Sequence, residues 1–123
     1  MGSLTTKASL ETYLQTNWTQ TTIQFEGVPF SYSGLTKWIS TKYVGVSNEA
    51  FIQGQATNGQ FQIFCYAQNS PLCHKLADDV STLLSCKIVD FVEVSIGQVQ
   101  GSSLNLDNGF FELMITFEVN QYL

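Results

Sequence analysis

Every second residue from Phe111 to Val119 is apolar: Phe111, Leu113, Ile115, Phe117 and Val119 alternate with Glu112, Met114, Thr116 and Glu118. A period of two marks a strand with unlike faces, because successive side chains leave a pleated backbone on opposite sides. The pattern returns from Gln60 to Ala67, where Phe61, Ile63, Cys65 and Ala67 point one way and Gln60, Gln62, Phe64 and Tyr66 the other. Two such strands require a sheet, and its apolar face requires a cover. Leu72, Leu76, Val80, Leu83 and Leu84 supply one at helical spacing, after Ser70 as N-cap and Pro71 at the first helical position. An earlier helix is predicted from Ser3 to Trp18, with Leu4, Ala8, Leu10, Tyr13, Leu14 and Trp18 on one side and Ser3 or Thr5 as its cap.

The remaining strands are shorter or less regular. Ile23 to Phe25 reads as a brief strand, Thr36 to Val46 as a longer one, and Val92 to Val99 as a third. Asn58-Gly59 and Asp107-Asn108-Gly109 have the composition of tight turns, which favour residues that tolerate positive φ. The order helix, strands, helix, strands predicts a single α+β domain over residues 1–123. Its sheet is mostly antiparallel, with two main helices packed on one face.

Composition then narrows the chemistry. The 123 residues contain no arginine, five lysines, one histidine (His74) and ten carboxylates, for a net charge of −5. Phosphate and nucleic-acid recognition calls for a basic stripe, and none is present. Ser, Thr, Asn and Gln number 42 against 15 charged residues, a surface chemistry that packs against other surfaces at little desolvation cost. Cys65, Cys73 and Cys86 have no metal-ligand spacing and read as reduced thiols. The sequence contains no apolar stretch of membrane-spanning length, and the Met1-Gly2-Ser3 start reads as a chance match to a lipidation pattern.

Few constellations invite catalysis. Cys73-His74 sits in the first turn of a helix, where the macrodipole favours a thiolate, but neighbouring helical residues point about 100° apart. Asp78-Asp79 diverge for the same reason. Glu112 and Glu118 are roughly 20 Å apart along one strand, too far to share a reacting atom. No catalytic residue, metal site or cofactor is expected. The charge-poor stretch from Ala50 to Gln62 has the composition of an unprotected sheet edge open to another chain. Phe51, Ile52, Gln53, Gln55 and Asn58 are its candidate interface residues.

The order of elements resembles the tail terminator, or tail-completion, proteins of long-tailed bacteriophages. The residues that carry the resemblance are the helix Ser9-Leu10-Glu11-Thr12-Tyr13-Leu14, the Val28-Pro29-Phe30 segment and the strand from Lys37 to Val44. Gly59-Gln60-Phe61-Gln62-Ile63-Phe64 is similar to the family's central strand. It is followed by the helix opened by Ser70-Pro71 and the closing strands Val92–Val99 and Phe111–Val119. The family often carries arginines in these elements; here there are none.

The resemblance implies a non-enzymatic homo-oligomeric ring of six subunits on the head-proximal end of the tail tube, ending tube growth and presenting a docking surface for the head. It also implies the tail tube protein and the head–tail connector protein as partners, assembly in the host cytoplasm and residence in the virion tail. Six copies at −5 each would line a passage that repels DNA and lets it slide through unbound. Two other readings stay open. One is a different tail or head–tail joining component. The other is a small α+β ligand-binding protein or enzyme with an apolar pocket around Tyr66, Trp38 and His74.

Overall fold

A computed structural model describes residues 3–45, 56–90, 92–100, 103–104 and 109–122. Helix α1 spans Ser3–Asn17 and helix α2 spans Ser70–Leu84. The strands are β1 (Thr22–Gln24), β2 (Lys37–Gly45), β3 (Ala56–Ala67), β4 (Ile88–Val89), β5 (Val92–Val94), β6 (Gln98–Val99), β7 (Ser103–Leu104) and β8 (Phe111–Tyr122). They form one sheet in the order β1-β2-β3-β8-β5-β4, with β6 and β7 following β5 along the same side of β8. All these pairings are antiparallel except β1 with β2. The fold is α+β.

Both long alternating segments lie at the centre. β3 pairs with β2 from Gly59 to Ala67 and with β8 along its whole length. Phe61, Ile63, Cys65 and Ala67 of β3 and Leu113, Ile115 and Phe117 of β8 are fully buried under the two helices. Among the described side chains of α1, Thr6, Leu10 and Leu14 are buried, and Trp18 just past its end continues that four-residue repeat, while Ala8 is exposed. Thr5 lies inside α1, which is described from Ser3 onward.

In α2 the buried face is Cys73, Leu76, Ala77, Val80 and Leu84, so it lies one residue away from Leu72, which is exposed. The cap of α2 is Asn69, whose Oδ1 accepts a hydrogen bond from the Leu72 N–H at 3.0 Å. Ser70, expected as the cap, is already helical. An amide side chain placed two residues before Pro71 satisfies the second free N–H of the helix as well as a serine does.

The Asn58-Gly59 turn does not form. Both residues lie inside β3, where Gly59 pairs with Gly45 on one side and Val119 on the other. The glycine is there for space. A Cβ on Gly59 would meet the Tyr43 hydroxyl oxygen and come within 2.6 Å of Tyr43 Cζ. The turn signal in the sequence was thus a record of close side-chain approach across the sheet, the other physical reason for glycine in a strand.

The strand expected over Val92–Val99 is interrupted. Val94 stands opposite Val119, but Gln98 stands opposite Thr116, so one extra residue is accommodated between them. The register is shifted by one more residue at β7, where Ser103 stands opposite Glu112, across residues 101–102, which lie outside the described part. The extra residue between β5 and β6 is a bulge, which bends a strand and increases its twist. At this bulge, Gly97 packs so closely that a Cβ would lie 2.6 Å from the Phe117 ring. The Gly97 N–H donates to Ser85 Oγ at 3.0 Å, tying the bulge to the end of α2.

Candidate assembly surfaces

The sheet's second face starts from the same alternation as its core face. Trp38 of β2, Tyr66 of β3 and Glu112 of β8 share a register row and point away from the helices. No helix covers them. Instead the chain between β1 and β2 folds back, so that Tyr32 stacks on Trp38 with ring centres 5.1 Å apart and Tyr66 stacks on it at 4.8 Å. Phe110 meets the Trp38 ring edge-on at 4.6 Å, and Phe30 lies 6.0 Å away. Trp38 is thereby only 2 % exposed, and its Nε1–H has no hydrogen-bond partner. The Tyr66 hydroxyl is hydrogen-bonded to Glu112, and burial together with that carboxylate pushes its pKa upward.

This geometry separates the three pocket candidates. Trp38 and Tyr66 touch, but the space around them is filled by aromatic rings. His74 is exposed on α2, on the opposite side of the sheet. Cys73 is fully buried, and its thiol donates to the Cys65 carbonyl at 3.0 Å. Burial, and secondarily the charge of Glu112, raises its pKa to about 11. The low-pKa thiolate that a helix N-terminus can create is therefore absent at Cys73. Asp79 is engaged by Lys75 at 3.3 Å, leaving the Asp78-Asp79 pair on a solvated helix face.

Phe51, Ile52, Gln53 and Gln55 lie outside the described residues. Asn58 lies in β3 opposite Asn120 of β8. The expected free edge does not extend into the second half of the Ala50–Gln62 stretch. Residues Gly59 to Gln62 have a strand on each side, because β8 supplies a long partner that local composition could not reveal.

Among the described residues, free edges lie at the two flanks of the sheet. On one flank, β1 is the outermost strand; on the other, β4 ends after two residues and leaves β6 and β7 outermost. Beside the break between β5 and β6 runs a groove of about 610 Å³, lined by Ile88, Val94, Ile96, Gln98, Glu93 and Glu118 among others. Ile88 is 75 % exposed and Ile96 66 %. Sequence reading missed these residues because Ile96 fits an alternating strand perfectly well. The available signal was the Gly97 beside it, which in a strand often marks a bulge.

No protein-family model matches the chain, and no curated protein matches it. Among solved structures, the chain is similar to one described as "Virion of native gene transfer agent (GTA) particle". The likeness has a TM-score of 0.69 at 11 % identity and covers 95 % of this chain and 94 % of that one. At that identity the likeness is one of fold. It extends over nearly the full length of both chains. No helix among the described residues is long and apolar enough to cross a membrane.

Proposed function

We propose that this chain is a structural virion protein that assembles as a ring of six on the head-proximal end of a phage tail tube. There it ends tube polymerisation and presents the surface on which the head docks. The observation that carries this reading is the near-complete fold likeness to a chain of a virion particle. The distribution of apolar surface supports it: a ring of identical subunits needs two unlike patches on opposite flanks, and this sheet leaves exposed apolar side chains at both edges.

The chemistry agrees with a passive role. The residues weighed for catalysis are buried, dispersed or engaged, and the exposed sheet rows carry Glu93 and Glu118 against Lys42. A wall of that sign lets DNA pass without holding it. The tube protein and the head–tail connector are the expected partners, with no cofactor and no enzymatic activity. Assembly takes place in the host cytoplasm, and the protein stays in the tail.

Molar mass by light scattering across concentration, with and without tail tubes, tests the reading, together with negative-stain images. The expected result is a ring near six times 13.7 kDa, or capped tubes of fixed length. A chain that stays monomeric and leaves growing tubes uncapped overturns it.

A further inference from the structure

Seven large apolar side chains are strongly exposed among the described residues: Val28, Tyr32, Val44, Leu72, Ile88, Ile96 and Val99. Apart from Leu72 on α2, they belong to elements of the sheet's two flanks, with Tyr32 lying over Trp38 on the sheet's face. Val28, Tyr32 and Val44 belong to β2 or the chain joining it to β1. Ile88, Ile96 and Val99 belong to β4, β6 and the bulge before β6. Scattered single apolar residues need no explanation, but Ile88 and Ile96, strongly exposed and lining one groove, do.

The backbone follows the same division. Gln100 donates its N–H to the Met114 carbonyl of β8 at 2.9 Å, and hydrogen-bonding direction alternates along a strand. Val99 therefore directs its N–H and C=O away from β8, where the sheet has no further strand among the described residues. β4 lies on that side of the sheet but begins only at Ile88, just after the end of α2, so its short run stays beside β5 and does not reach β6. At the other end, β1 offers its outer edge beyond Thr22–Gln24.

Charge also differs between the flanks. Lys37 and Lys42 lie on β2, where the nearby carboxylate, Glu26, already accepts from the Tyr43 N–H at 2.9 Å. Glu93 and Glu118 line the groove at the other flank together with Lys87, and Asp90 lies between β4 and β5, so carboxylates outnumber cations there. One edge is thus relatively basic and the other relatively acidic.

We infer that the β6 edge and its Ile88–Ile96 groove receive the β1–β2 flank of a second copy of this chain, so that one sheet continues into the next. The inference rests on the ring reading and specifies which surfaces make the ring. Two different edges meeting give a head-to-tail contact, which closes a ring instead of stopping at a dimer. Edge-to-edge pairing supplies backbone hydrogen bonds, and the exposed isoleucines supply the apolar contact beside them.

Site-specific disulfide capture tests this. In a Cys86→Ser background, Thr22→Cys labels one flank and Val99→Cys the other; Cys65 and Cys73 are buried and stay silent. Under mild oxidation each single variant should remain uncrosslinked, a mixture of the two should give dimers, and the double variant should give a ladder. Self-crosslinking of either single variant would mean a two-fold contact and would overturn the inference. Rings that form, by light scattering, without any crosslink between the two positions overturn this contact and leave the ring reading standing. A double variant that neither assembles nor caps tail tubes, although the Cys86→Ser parent does, is repeated with Val28→Cys in place of Thr22→Cys; absence of crosslinked product there also overturns it. An unsubstituted chain that never assembles, alone or with tail tubes, defeats both readings.

Ile96→Glu gives an independent measure. It changes an exposed residue, so melting temperature should hold while assembly weakens by about tenfold or more. Unchanged assembly overturns the inference.

Discussion

The two faces of the central sheet begin from the same alternating pattern and are closed by different means. On one face, Phe61, Ile63, Ile115 and Phe117 meet the aliphatic sides of α1 and α2 and are fully buried. On the other, Trp38 is buried by Tyr32, Tyr66, Phe110 and Phe30, with Tyr32 and Phe30 supplied by the chain between β1 and β2. The helical face is a continuous, mainly apolar core that also encloses Thr6, Thr41 and the Tyr43 hydroxyl. The aromatic face leaves one indole N–H unsatisfied and keeps Tyr32 42 % exposed. Core packing is fixed by many mutually supporting contacts, whereas a stack under a loop depends on a few rings.

The difference should appear first in truncation. Phe61→Ala should destabilise the fold by about 3–5 kcal/mol, because the surrounding core cannot collapse around the cavity. Trp38→Ala should cost less, roughly 2–3 kcal/mol, because a partly exposed loop can settle into the space. Urea unfolding followed by circular dichroism measures both. Equal losses would mean that the aromatic face is as rigid a core as the helical one.

A second comparison concerns close approach within the core face. Gly59→Ala should destabilise by about 1–3 kcal/mol, since the new methyl meets the Tyr43 ring. Combining it with Tyr43→Phe should recover part of that loss, because the hydroxyl oxygen is the nearest atom. A double-mutant cycle gives the coupling, and strict additivity would mean that the backbone shifts instead.

Conservative replacement of the stacked indole should sharpen the contrast from the other direction. Trp38→Phe keeps an aromatic ring between Tyr32 and Tyr66 and removes the orphan N–H. Stability should change by less than about 1.5 kcal/mol, well short of the truncation. A loss as large as that of Trp38→Ala would assign the indole N–H a partner.

The smallest effect is one of pH. The Cys73 thiol is raised by burial to about 11 from an ordinary value near 9. Its contribution is complete below the unfolded value and is lost as pH rises through the folded one, because the unfolded chain gives up the proton first. Stability should therefore decline between about pH 9 and 11, and Cys73→Ala should make that decline shallower, with the remainder carried by Cys65, Tyr43 and Tyr66, which burial also raises. Thiol titration at neutral pH gives the companion result: Cys86 alone should react in the native chain, and all three thiols in denaturant.

Where sequence and structure part company, the cause is long-range contact. The alternations at Gln60–Ala67 and Phe111–Val119 and the position of α2 were legible because a residue's own neighbours set its face. The α1 stripe was legible in outline, but Ala8 faces out because the sheet, not the helix, decides which side is buried. Glycine was the least legible residue. Gly59 looked like a turn and is a point of contact with Tyr43; Gly97 looked like a strand position and is a bulge against Phe117.

The assembly surface followed the same division. Lack of arginine, scarcity of charge and excess of neutral polar residues are properties of composition, and they pointed to surfaces that pack rather than catalyse. They could not say which strand would be left at an edge. That depends on β8 pairing with β3 across some fifty residues of chain, which makes Gly59–Gln62 central and, among the described residues, leaves β1 and β6 outermost. The sequence by itself determined the elements and their two-faced character, through local periodicity. Tertiary structure alone decided the neighbours of each strand, because edges and grooves are created only when distant segments pair.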